Sequence, residues 1–346
     1  MQRRFLLNLA LLLVLNLLVK PFYILGIDAG VQDAVGSAAY GTYAALLSLS
    51  FLLSIVLDMG ITNQNTRHIA QHTQLMGKTV GGVLGVRSVL VVLYAVLTFG
   101  TGLLLGFRGE QMAVLGWLVV NQALVASINF MRSNIAGAQR FKQDSLLSVL
   151  DRVLLIGMVG WLLWGRATGE AFRIEWFVWA QTVAYSITLV VSYVLVHRIA
   201  GGVQLAWRPA YAWVVMKQSF PYALLILLMT FYYRIDTLML ERLLPDGAVQ
   251  AGIYAQAFRF FEAFNMLGYL MAGLLLPMFS RLFGEQGAQA GASLVGLVRL
   301  ATRLVLTGTV AIAVFGVVYA QAIMDLRYTQ HTTESAPVFA LLIGCF

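Results

Sequence analysis

Four charged side chains, two arginines and two carboxylates, lie inside two long apolar segments of this chain. Such groups can bind ions or charged ligands, or pair with each other. Arg234 and Asp236 fall in the first segment, and Arg259 and Glu262 fall in the second. Each segment is longer than the roughly 20 residues that a helix needs to cross a bilayer. A charge deep in a membrane helix costs about 2.5–3.5 kcal/mol or more, so such residues face a partner or a water-filled cavity. The pattern predicts a polar path inside a membrane.

Arg259 is the leading candidate for binding an anion, because a guanidinium can hold two phosphate oxygens at once. At about 100° per residue, Arg259, Glu262 and Asn265 share one side of a helix, which favours a polar inner face. The structural alternative is an ion pair between Arg259 and Glu262, which are three residues apart. The sequence leaves both interpretations open.

Arg234 and Asp236 are two residues apart and cannot share a helix face, so at least one needs a partner on another helix. Arg234 is a second cavity candidate or a structural ion pair. Lys20 precedes Pro21, which removes a backbone hydrogen bond and can kink the first span. Lys20 is a third cavity candidate, although a lysine can also extend to the membrane interface. Three further charges near span ends are interpreted as interfacial: Arg87, Asp151 and Arg152.

Energy coupling has three acidic candidates, Asp58, Asp236 and Glu262, which could exchange protons or take part in a sodium site. The sequence does not choose between H⁺, Na⁺ and a substrate gradient. Gly77-Lys78-Thr79 resembles the end of a phosphate loop, but His72 stands where that loop needs its first glycine. His68 and His72 have the spacing of helical zinc ligands, yet no third ligand is evident. We therefore expect no metal, no cofactor and no catalytic residue.

Composition assigns the chain to the all-α membrane proteins. Hydrophobic residues make up 60% of it and charged residues 11%, against about 25% in soluble domains. The apolar runs are long and unbroken, which predicts helices rather than a barrel. The net charge of +8 comes from basic residues that stand singly between apolar runs, so a nucleic-acid partner is not expected. The single cysteine, Cys345, excludes an intramolecular disulfide.

Nine membrane spans are predicted, and a tenth begins near Ser335. The tenth reaches only Phe346 and is too short to cross, so we expect that a C-terminal part is missing. The first span has no small-residue cleavage site and is interpreted as retained. More basic residues fall on the side of the N-terminus, which predicts a cytoplasmic N-terminus. The predicted spans are 5–27, 40–61, 80–106, 111–131, 145–165, 175–197, 218–241, 250–278 and 296–322.

A short internal repeat supports two lobes of the same orientation. Tyr40-Gly41-Thr42-Tyr43-Ala44 opens the second span, and Ala251-Gly252-Ile253-Tyr254-Ala255 opens the eighth. Six spans separate the copies, so an axis along the membrane normal would relate the lobes and a site would lie between them. We predict an N-terminal lobe of six spans at 1–198, an amphipathic cytoplasmic linker at 199–217 and an incomplete C-terminal lobe at 218–346.

The same two regions resemble the polysaccharide and O-antigen flippases of the multidrug/oligosaccharidyl-lipid/polysaccharide (MOP) exporter superfamily. The resemblance is carried by residues 35–44, by 233–240, by 252–259 and by 276–281. It implies a helical bundle of two pseudo-symmetric six-helix lobes, of which the second is truncated here. Arg259, after the Gly-x-Tyr-Ala marker, resembles a cavity arginine of the related lipid II flippases.

The resemblance implies a function as well as a fold. A flippase of this kind would move a polyprenyl-pyrophosphate-linked oligosaccharide across the bacterial inner membrane by alternating access, for surface polysaccharide biosynthesis. Alternatives within the superfamily are a cation-coupled multidrug exporter and a lipid II flippase. A membrane glycosyltransferase or polymerase is disfavoured, because the sequence has no large outer loop with a carboxylate cluster. The chain is therefore interpreted as a transporter and not an enzyme.

Overall fold

The computed structural model describes residues 14–165, 171–203, 209–284 and 288–345. Across those residues the secondary structure is helical, without a strand. Eight helical segments in the described part are long and apolar enough to cross a membrane. The predicted all-α membrane fold is confirmed, and the protein is a multi-pass membrane protein.

Thirteen helices follow one another in the described ranges, with one π-helical and one 3₁₀ turn among them. Helix α1 contains a π-helical turn at Tyr23–Asp28, and a 3₁₀ turn at Thr73–Leu75 precedes α5. The helices are α1 (Val14–Val35), α2 (Ser37–Leu53), α3 (Ile55–Asp58), α4 (Ile61–Gln71), α5 (Met76–Leu104), α6 (Glu110–Gly137), α7 (Phe141–Trp164), α8 (Ile174–Ala200), α9 (Pro209–Leu243), α10 (Gly247–Gly284), α11 (Ala288–Val318), α12 (Ala320–Arg327) and α13 (Thr332–Gly344).

Two helices differ from the predicted spans in a way that matters for the site. Helix α1 continues to Val35, eight residues beyond the predicted end of the first span, and its π-helical turn begins two residues after Pro21. Helix α9 begins at Pro209, so residues 209–217 of the predicted linker are helical and continuous with the next span. Residues 204–208 of that linker lie outside the described ranges. Helix α10 contains the predicted span 250–278 within one 38-residue helix.

The long helices alternate in direction, which gives the bundle two ends. The Asp33 end holds the turns after α1, α5, α9 and α12, at residues 36, 105–109, 244–246 and 328–331. The Asp144 end holds the turns after α3, α6 and α8, at residues 59–60, 138–140 and 201–203. We call α1–α8 the N-terminal half and α9–α13 the C-terminal half. Helix α2 joins them, because it packs against both α9 and α10.

The two copies of the repeat pack against each other where the halves meet. A side chain at Gly41 would collide with the backbone carbonyl of Ala248, and one at Gly252 would collide with the carbonyl of Ser37. Small residues let membrane helices approach this closely, and close packing replaces the hydrophobic driving force that lipid does not supply. The repeated glycine is therefore the point at which α2 and α10 cross.

Candidate functional site

A cavity of about 640 Å³ lies between the two halves. Its wall is built by α1, α2, α6, α7 and α8 from one half and by α9 and α10 from the other. Four basic and two acidic side chains line it, among apolar and aromatic residues: Lys20, Arg152, Arg234, Arg259, Asp28 and Glu262. Its volume falls in the range of sites that hold a small organic ligand.

Arg259 is buried at the centre of this wall and is bonded on several sides. Its Nε lies 2.8 Å from Asp28 Oδ2, and its Nη2 donates to the Tyr40 hydroxyl at 2.6 Å. Its Nη1 donates to Glu262 Oε2 at 2.7 Å. The Tyr40 hydroxyl in turn donates to Asp28 Oδ1 at 2.8 Å. Arg259 thus joins α10 to α1 and α2 through charge-assisted hydrogen bonds, which are the strong class.

Glu262 bridges the two arginines of the C-terminal half. Its second oxygen accepts a hydrogen bond from Arg234 Nη2 at 2.6 Å. The Arg234 guanidinium also lies over the Phe51 ring of α2, 4.7 Å from its centroid, and 5.5 Å from that of Phe258. The ion pair between Arg259 and Glu262 that the spacing suggested is present, yet both residues also line the cavity. The two interpretations of Arg259 are compatible.

Asp28 and Tyr40 complete this network, and sequence analysis missed the role of both. Asp28 is one residue beyond the predicted end of the first span, at 27, and the sequence analysis did not single it out. In the structure it lies seven residues before the end of α1 and is buried. Tyr40 was noted only as part of the repeat. A signal existed, because a repeat that brings α2 against α10 also brings Tyr40 toward Arg259.

The N-terminal half provides a second cationic wall at Lys20 and Arg152. The Arg152 guanidinium lies 4.5 Å from the Tyr23 ring centroid and 3.4 Å from the Tyr185 hydroxyl. Its carboxylate partner is its chain neighbour Asp151, at 3.6 Å. Lys20 has no carboxylate within 4 Å among the described residues. The interfacial interpretation of Arg152 was wrong, because its span begins at Phe141 and so places it eleven residues into α7.

The remaining sequence candidates fall at different places. Asn265 lines the main cavity. Asp236 is exposed, does not line that cavity, and accepts a hydrogen bond from Tyr254 at 3.1 Å. Asp58 forms an ion pair of 3.2 Å with Arg87, which is buried rather than interfacial as first interpreted. No cluster of three potential metal ligands occurs in the described part of the chain.

A second cavity of about 460 Å³ continues the first toward the Asp144 end. Both cavities share four lining residues: Phe51, Gln122, Val125 and Ile226. Asp58 lines the second cavity, together with residues of α4, α6 and α7. The two cavities therefore adjoin, and together they extend from the arginine network to the Asp144 end.

At the opposite, Asp33 end, side chains tie the two halves together. Arg327 of α12 donates to the carbonyl oxygens of Leu25 and of Gly26, the latter at 3.0 Å, in the π-helical turn of α1. It also pairs with Asp33 at 3.4 Å. Arg242 of α9 lies over Phe107, 3.5 Å from the ring centroid. These contacts, with the Gly41–Gly252 crossing, close the space at this end.

Comparison with known proteins identifies the family and the fold. A model of a polysaccharide biosynthesis protein family matches residues 7–283, which is most of the chain. No curated protein sequence matches significantly. Solved MOP-superfamily structures share the fold at low sequence identity. The inward-facing conformation of a multidrug resistance MATE family transporter is 15% identical over 93% of this chain and 76% of that chain, with a TM-score of 0.63.

Two further structures agree with this match. The outward-facing conformation of a multidrug resistance MATE family transporter is 14% identical over 98% of this chain and 77% of that chain, with a TM-score of 0.62. A MOP superfamily transporter from Pyrococcus furiosus is described as having a binding pocket of reverse polarity. It is 15% identical over 96% of this chain and 76% of that chain, with a TM-score of 0.60. The predicted family resemblance is confirmed. This chain belongs to the polysaccharide biosynthesis protein family and has the MOP transporter fold.

Proposed function

We propose that this membrane transporter moves a polyprenyl-pyrophosphate-linked oligosaccharide across the bacterial cytoplasmic membrane, for surface polysaccharide biosynthesis. The observation that carries this proposal is the charge of the main cavity, where four basic side chains face two acidic ones. A diphosphate brings negative charge into a low-dielectric passage, where arginine and lysine can pair with it. The lipid tail would remain among the acyl chains.

The two cationic walls suggest a division of roles. Arg259 and Arg234 are already paired with Asp28 and Glu262, so a substrate anion gains less by displacing those carboxylates. Lys20 has no such pair among the described residues, and Arg152 has only its chain neighbour. The diphosphate would therefore bind first at Lys20 and Arg152. The arginine network would respond to the bound substrate, since it joins the two halves.

Alternating access would complete the cycle. The Asp33 end is closed and the cavities extend to the Asp144 end, which suits a state that receives substrate from the side of the Asp144 end. With the N-terminus in the cytoplasm, as the distribution of basic residues predicts, that side is cytoplasmic. Glu262, Asp58 and Asp236 remain candidates for coupling to H⁺ or Na⁺, and we propose no choice among them.

The test compares charge removal in the cavity with charge removal outside it. We expect Lys20→Gln combined with Arg152→Gln to lower transport at least tenfold, because each charge-assisted hydrogen bond is worth about 1.5–3 kcal/mol. Transport is measured as surface glycan in cells that depend on this protein, at equal protein level. Lys142→Gln, at an exposed position of α7 outside both cavities, is the matched control.

Unchanged surface glycan in the double variant would contradict the proposed binding site. Resistance to cationic drugs that depends on the native protein would favour the multidrug alternative. That alternative is disfavoured by the cavity, because four basic side chains repel a cationic drug.

A further inference from the structure

The second cavity differs in chemistry from the first, which it adjoins. We call it the vestibule, and its polar lining consists of Ser54, Asp58, Thr62, Thr66, Gln122, Asn129, Arg132, Ser133 and Asp144. Neutral hydroxyl and amide groups outnumber charged ones in this set. The main cavity instead concentrates basic side chains.

The charges of the vestibule are neutralised within the protein. Arg132 Nε lies 2.8 Å from Asp144 Oδ1, so this guanidinium is already paired with a carboxylate. Asp58 pairs with Arg87 and also accepts a hydrogen bond from the Thr62 hydroxyl. The vestibule therefore has no surplus positive charge with which to hold a phosphate.

Two amides in the vestibule remain without hydrogen-bond partners among the described residues. Gln122 of α6 is only 7% exposed, yet its side chain lines both cavities. Asn129 lies two helical turns further along α6 and lines the vestibule. Asn129 is exposed and neither amide has a partner in the described part of the protein, so both are available to form hydrogen bonds with a polar ligand in the cavity. The free amide of Gln122 stands at the junction of the two cavities.

We propose that the vestibule is a sugar-binding subsite, and this inference rests on the proposed function. Sugars are neutral and carry hydroxyl groups that both donate and accept, and an amide side chain also does both. The carboxylates of Asp58 and Asp144 accept further hydrogen bonds, and Phe51 presents an aromatic ring at the junction. With the diphosphate at Lys20 and Arg152, the first sugars lie at Gln122 and the following ones near Asn129.

The test separates sugar recognition from diphosphate recognition. Purified full-length protein in nanodiscs is titrated with undecaprenyl diphosphate and with undecaprenyl diphosphate linked to N-acetylglucosamine. We expect Gln122→Leu to weaken binding of the sugar-linked lipid about five- to tenfold, as the loss of one or two hydrogen bonds predicts. Affinity for the sugar-free lipid should stay within about twofold. Asn129→Leu should have a smaller effect of the same kind.

The remaining outcomes distinguish the two proposals. Equal weakening for both lipids, or no weakening for either, would overturn the sugar subsite and indicate a water-filled entrance. Equal affinity of the unsubstituted protein for the two lipids would overturn it as well. Lys20→Gln with Arg152→Gln should weaken both lipids, and failure of that result alone contradicts the proposed function. A melting temperature equal to that of the native protein shows that Gln122→Leu remains folded.

Discussion

The two ends of the helical bundle differ in how the two halves meet. At the Asp33 end, α2 and α10 cross at Gly41 and Gly252 with their backbones in contact. Toward the Asp144 end, the halves are separated by cavities of about 640 and 460 Å³. Between the two regions lies the network of Arg259, Asp28 and Glu262. At the Asp33 end the backbone contact at the glycines is joined by the side-chain contacts of Arg327 and Arg242, whereas the Asp144 end keeps open space between the halves.

The largest effect should come from obstructing the crossing itself. Gly252→Leu would place a side chain where the Ser37 carbonyl now lies. The backbone of Ser37 cannot move aside as easily as a flexible side chain could, so the two helices would be forced apart. We expect transport to fall below about a tenth of the native level, measured as surface glycan at equal protein level. Gly157→Leu is the control, because nothing lies within 4 Å of a Cβ at that position. Native transport by Gly252→Leu would show that the crossing is not needed.

Removing Arg259 should have the next largest effect, on stability. Arg259→Ala leaves Asp28 buried without its cation, and breaking a buried ion pair costs about 3–5 kcal/mol. We expect a clearly lower melting temperature in detergent, whereas Arg108→Ala, in an exposed turn, should change it little. Adding Asp28→Ala to Arg259→Ala should restore part of the loss, because the two effects are coupled. Strictly additive losses would contradict the ion pair.

A smaller effect is expected from the arginine that ties α12 to α1. Arg327→Ala removes the contacts to Leu25, Gly26 and Asp33, but the glycine crossing remains. We expect cysteine labelling at Ala29→Cys, in a Cys345→Ser background, to become about two- to tenfold faster. Asp325→Ala is the control on the same helix, since its only described partner is Gln321. An unchanged labelling rate would show that Arg327 does not hold this end closed.

The sequence by itself determined the class of the protein and the chemistry concentrated in α9 and α10. Long apolar runs with few charges can satisfy their backbone only as membrane helices, and the family resemblance carried by the two repeat regions is confirmed. The periodicity of α10 also put Arg259, Glu262 and Asn265 on one face, and all three line the cavity. Such a pattern is local, so it can be read without knowing which helix lies opposite.

Only the tertiary structure decided which charges are neutralised and which are free. Asp28 lay one residue outside a predicted span, and Arg152 was interpreted as interfacial, because small errors in helix ends move a charge between water and the bundle. Asp236 lies away from the cavity although Arg234 lines it. The pairing of Arg259 with Asp28 joins residues 231 positions apart, a contact set by helix packing and not by spacing.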